Sequence, residues 1–153
     1  MKTYVINRGL EYYTDMSIIL NPIKDYLQDY NFLITDIECS DFPDKRLNYE
    51  EDYLFISTCE LLDIVNANEI QFIWGVFSAI PKHISLDEIL KHELPYSEGV
   101  HTFDEIVEIQ HPLAEIEIVA FDSSSVEIIC KRGDVIQAFE KEFPKEKYYK
   151  KWK

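Results

Sequence analysis

Four histidines, His83, His92, His101 and His111, recur at intervals of nine, nine and ten residues. Such spacing raises metal binding as the first question. A zinc-binding helix sets two histidines four residues apart on one face, and neither HExxH nor HxxEH occurs in the chain. His92-Glu93 has no second histidine at the required distance. The four therefore read as loop histidines, and no metal or other cofactor is expected. Nucleophilic catalysis leaves an equally thin trace. Ser123-Ser124-Ser125 falls in a turn between two strand patterns, not in a GxSxG elbow. Cys39, Cys59 and Cys130 are odd in number, far apart and without a CxxC pair, which argues against a zinc ribbon or a thioredoxin-type motif. Each sits among apolar residues and reads as a small buried hydrophobe in a reducing compartment. The glycines at 9, 75, 99 and 133 are isolated, so no phosphate-cradling loop is present.

Carboxylates remain. Asp41, Asp44, Glu50, Glu51 and Asp52 crowd one loop-like stretch, and Glu98, Asp104, Glu105 and Glu108 a second. Paired carboxylates do acid–base work or hold divalent cations, but the DxDxDG calcium spacing is missing. A cleft between two acidic loops needs no fixed spacing to receive a Lys/Arg-rich protein through charge-assisted hydrogen bonds, and the charge totals favour that use. The net charge is −14, and residues 131–153 hold eight of the fifteen Lys/Arg against four acids, leaving −18 on the first 130 residues. Such a body repels nucleic acid and anionic membrane surfaces and attracts basic proteins. The C-terminal KEKYYKKWK interleaves basic and aromatic residues, a pattern that can hold single-stranded nucleic acid. Beside so acidic a body, it reads instead as a tail whose aromatics pack back on the domain, or that folds onto the acidic surface.

The elements that must position these residues are legible from periodicity. EIQFIWGVFSAIP, Glu69 to Pro81, is the most apolar run and has no charge after Glu69. It is too short to cross a bilayer, which takes ~20 residues, and its aromatic and β-branched content predicts a central strand buried on both faces. Gly75 predicts a bulge or a close backbone approach within it. Thr3–Asn7, Asn31–Cys39 and Tyr53–Ser57 read as strands, the second with Phe32, Ile34 and Asp36 on one side. Glu115–Phe121 and Val126–Cys130 read as a hairpin around Asp122-Ser123-Ser124. Helices are expected from Asp15 or Asn21-Pro22, from the capping boxes at Ser57 and Ser85, and from Gly133 to Pro144. The segment from Leu94 to Pro112 is the least regular.

Short links between strands predict an α+β fold with a mixed, mainly antiparallel sheet and about four helices packed on it. Residues 1–153 make one domain, with 144–153 a basic aromatic tail. No secretory signal and no membrane-spanning run is evident, so a cytoplasmic protein is expected.

In size and acidity, in the passage of ELLDIVNAN into FIWGVFSAIP, and in the hairpin EIEIVAFDSSSVEIICK before a last helix, the chain resembles small bacterial immunity proteins of toxin–immunity pairs. The resemblance implies a protein without chemistry of its own that binds and blocks a cognate toxin domain, often a basic nuclease. Two other readings stay open: an acidic adaptor or nucleic-acid mimic with a different basic partner, and a small hydrolase using clustered carboxylates or a Cys/His pair.

Overall fold

The structure, a computed structural model, describes residues 2–11, 14–39, 44–47, 52–97, 101–102, 105–106 and 108–151. Strand β1 is Lys2–Ile6, β2 Tyr30–Cys39, β3 Tyr53–Ser57, β4 Phe72–Pro81, β7 Ile116–Phe121 and β8 Ser125–Cys130; a two-stranded β5 (His101–Thr102) and β6 (Glu105–Ile106) lies between β4 and β7. The six long strands form one sheet in the order β1-β8-β7-β4-β2-β3. Every neighbouring pair is antiparallel. The Phe72–Pro81 run is interior to this sheet, between β2 and β7, as its composition predicts. The α+β expectation holds.

Alternation divides the sheet into two faces. Tyr4, Ile128, Ile118, Phe77 and Ile34 lie in register across five strands and point to one face. The helices cover it: α1 (Met16–Leu20) running into a 3-10 turn at Asn21–Tyr26, α2 (Thr58–Ala67) and α4 (Gly133–Glu142). Their apolar stripes, including Ile19, Leu61, Ile64, Val135, Ile136 and Phe139, join the strand residues in the main core. Burying each such side chain stabilises the fold by about 1.5–3 kcal/mol. On the opposite face Leu33, Ile80 and Ile129 form a second cluster with Ile89, Ile109 and Ala114. Ile89 comes from the short helix α3 (Leu86–Ile89).

The caps form where the sequence places them. Ser57 Oγ accepts from Glu60 N at 3.1 Å, and Ser85 Oγ accepts from Glu88 N at 3.3 Å. Asp15 caps α1 through Ser17 N; the 3-10 turn has Pro22 in its first turn, but Asn21 does not cap it and instead closes α1, its N–H donating to Ser17 O. The hairpin turn gives Asp122 and Ser123 φ values of 49° and 56°. Ser124 N donates to Phe121 O, a type I′ geometry whose twist matches the strands.

The close approach expected at Gly75 is present, since a Cβ there would lie 3.2 Å from the Phe77 ring, and the ladder beside it is irregular on both strands, with an extra residue on β2 between Thr35 and Glu38 and one on β4 between Trp74 and Phe72. Two expectations need correcting, the first at the extra residue on β2. Asp36 there adopts φ 54° and is exposed, so it leaves the face that Phe32 and Ile34 share. Cys59, expected among apolar neighbours, is exposed on α2, whereas Cys39 and Cys130 are buried. In the tail Lys145–Tyr148 forms helix α5, which docks beside β1.

Candidate functional site

Of the acidic residues singled out by sequence, Asp41, Glu50, Glu51, Glu98 and Asp104 lie outside the described residues, and Glu105 is described only as backbone in β6. The remaining three differ in character. Asp44 is gripped by Arg46 through a fork of 3.0 and 2.7 Å, and Arg46 also reaches Asp63 at 2.9 Å. The guanidinium holds the Asp44 carboxyl down at about 2, so its charge is neutralised within the chain. Asp52 and Glu108 are exposed. Each precedes a residue that packs in the second apolar cluster, Tyr53 or Ile109. Asp52 and Glu108 therefore adjoin the same face of the sheet, whereas Asp44 is turned toward α2 beside Leu47 of the main core.

The second stretch is held at its neck. Gln110 Nε2 donates to Tyr96 O at 2.7 Å and Gln110 Oε1 accepts from Tyr96 N at 3.0 Å, so one side-chain amide pairs both backbone groups of the opposite limb. Ser97 N donates to Asp36 Oδ2 at 2.8 Å, which ties that limb to the β2 bulge. On the returning limb Gln110 N and His111 N donate to the Glu117 carboxylate at 3.1 and 3.5 Å, and Ser78 Oγ donates to it at 3.3 Å. Glu117 is fully buried on β7. Burial pushes its pKa up, while these donors pull it back.

His111 is fully buried and both ring nitrogens are committed: Nε2 lies 3.0 Å from Ile89 O, and Nδ1 accepts from Leu113 N at 3.2 Å. An Nε2–H tautomer satisfies both bonds, and burial holds the ring below its usual pKa. His92 meets it edge-on, with ring centroids 5.2 Å apart. His83 and His92 are exposed, and the His101 side chain is outside the description. Among the described residues no group of three or more His, Cys, Asp or Glu side chains is placed to hold a metal ion.

Glu127 on β8 is 2 % exposed, and burial raises its pKa to about 7. From the pairing of Glu117 with Ile129 and of Val119 with Glu127, the two buried acids are diagonal neighbours on one face. Sequence reading missed Glu117, Glu127, Gln110 and Asp36. A signal existed for the first two: in EIEIVAF and VEIIC the glutamates occupy positions that a strand buried on both faces must cover.

At the far edge of the sheet a cavity of about 180 Å³ is lined by Thr3, Tyr4, Val5, Lys145 and Tyr149. The tail reaches this edge because Asn7 N and Arg8 N both donate to Tyr148 O, and because the Asn7 side chain exchanges hydrogen bonds with the Lys150 backbone. Of the two expectations for the tail, packing back on the domain is the one realised. No helix among the described residues is long and apolar enough to cross a membrane. No protein-family model, curated protein or solved structure matches the chain.

Proposed function

We propose that the chain is a stoichiometric binding protein that neutralises a basic protein domain, in the manner of immunity proteins of toxin–immunity pairs. The loops at 41–52 and 98–108 serve as the contact surface. The observation that carries this reading is charge: −18 on the first 130 residues, with exposed Asp52 and Glu108 at the margins of one sheet face. A basic nuclease domain is the favoured partner, because a nuclease already presents a cationic surface to phosphates and an acidic protein can occupy it. The buried Glu117 and His111 support no chemistry in this reading; their hydrogen bonds hold the acidic loop in place. The protein works by occupancy and turns nothing over.

The test is retrieval of the partner from the source cells at low salt with the tagged chain, followed by elution on raising the salt. One basic protein in equimolar amount, lost with an Asp52→Lys/Glu108→Lys double variant, supports the proposal. A partner retained equally by that variant, or a partner that is itself acidic, sinks it.

A further inference from the structure

The basic end of the molecule has a geometry of its own. Strand β1 ends the sheet and pairs only with β8 among the described residues. The outer edge of its last residues is capped by the tail, where Asn7 N meets Tyr148 O. The cavity bounded by Thr3, Tyr4, Val5, Lys145 and Tyr149 opens along the rest of that edge. The Lys145 ammonium lies 5.7 Å from the centre of the Tyr4 ring. No carboxylate among the described residues lies within ion-pair distance of it. Lys2 on β1 and Lys147, Lys150 and Lys151 of the tail are all exposed, four further cations against the nearby carboxylates of Glu140 and Glu146.

We propose that this edge is a second docking site, taking an extended acidic peptide segment of another protein as an added strand on β1, with a carboxylate side chain seated in the cavity against Lys145. An unpaired strand edge offers alternating N–H and C=O groups that another extended backbone satisfies. The lysines supply charge complementarity to an acidic strand. A nucleic acid fits the same place poorly. The Tyr4 ring is overlaid by Lys145 and its hydroxyl donates inward to Phe143 O, so it is no stacking platform. A long polyanion would also run onto the acidic body. The site is separate from the first acidic stretch. Asp44 and Asp52 precede β3, at the opposite end of the strand order, roughly 24 Å away at ~4.8 Å per strand spacing. That is well beyond the ~8 Å screening length at physiological salt.

The probe is a fluorescein-labelled alternating Val/Glu hexapeptide, followed by fluorescence anisotropy with the full chain. Binding is expected at low salt and should weaken as salt is raised toward physiological strength. Lys145→Glu is expected to weaken it about tenfold, the loss of one charge-assisted contact and the gain of one repulsion. Lys91→Glu, beyond α3, should leave it unchanged. Two N-methylated versions of the peptide, each blocked at one alternate set of residues, separate strand addition from charge attraction. Only one set faces β1, so one version should fail and the other bind like the parent. Equal binding of both versions overturns the proposal, as does no binding of the parent peptide. So does an oligonucleotide that binds more tightly than the peptide and displaces it.

Discussion

Glu117 is a buried anchor of this molecule, because three donors from two segments converge on it inside the sheet. Removing it leaves the amides of Gln110 and His111 without their acceptor, and hydrogen bonds to charged groups contribute about 1.5–3 kcal/mol. Glu117→Ala is therefore expected to lower stability by about 2–3 kcal/mol in urea unfolding. Hydrogen exchange at the Gln110 and His111 amides should accelerate; if both stay protected, the carboxylate is not the anchor of the loop. Glu127 and His111 make opposite predictions about pH. The folded pKa of Glu127, about 7, lies above its ordinary 4.5, so the native state binds more protons between those values. Its contribution is present below pH 4.5 and is lost as pH rises through 7. The folded pKa of His111 lies below its ordinary 6.5. The unfolded chain then takes up the proton first, and stability falls as pH drops through 6.5. Glu127→Gln should match the parent near pH 5 and gain on it by pH 8. The ceiling is about 3 kcal/mol, since each pKa unit is worth about 1.4 kcal/mol. A difference that does not change between the two pH values would show that Glu127 does not titrate in this window.

At the level of elements, β4 is the piece whose packing leaves least freedom. A Cβ on Gly75 would come within 3.2 Å of the Phe77 ring, itself set edge-on to Phe72 with centroids 5.1 Å apart. Gly75→Ala must push that ring, and overpacking of this kind costs about 1–3 kcal/mol. Thermal unfolding of the variant checks it, and an unchanged midpoint would mean the ring relaxes freely. The same residue shows what the sequence makes legible. A glycine inside an apolar strand announces a close approach, and the approach is there. It cannot announce that the neighbouring strand is irregular as well, because the extra residue on β2 is set by the register of β2 against β4 between Thr35 and Glu38. Strands, caps and the β7–β8 hairpin were readable since each depends on residues within a few positions. The neck of the acidic loop was not, since Tyr96 meets Gln110 and Ser97 meets Asp36 across 14 and 61 positions. Two glutamates inside β7 and β8 broke the apolar pattern, and only pairing of those strands makes them neighbours.

Charge is unevenly placed along the sheet, with Asp52 entering β3 at one end of the strand order and the lysine-rich tail beside β1 at the other, while the second acidic stretch is tied to β2 and β7 between them. That separation depends on how the chain ends meet. Gly9 sits at φ +85°, and a Cβ there would lie 2.9 Å from Lys147 O and from the Tyr148 ring. Only glycine adopts this backbone without strain and leaves room for the tail. Tyr148 in turn packs its ring 5.2 Å from Phe143, and its carbonyl accepts from Asn7 and Arg8. Gly9→Ala meets both penalties and is expected to cost about 1–3 kcal/mol, most simply relieved by lifting α5 from β1. Trypsin then cuts after Lys145 and Lys147 sooner than in the parent chain, while Lys91 and Lys141 are cut at unchanged rates. Once lifted, the tail carries its cations away from the β1 edge, and the cavity loses two of its five walls. An acidic peptide should lose its site on this variant, whereas a basic partner bound at the acidic loops should be retained. If the variant keeps the peptide and releases the basic partner, the two ends of the molecule are not the independent surfaces that the sheet order makes them.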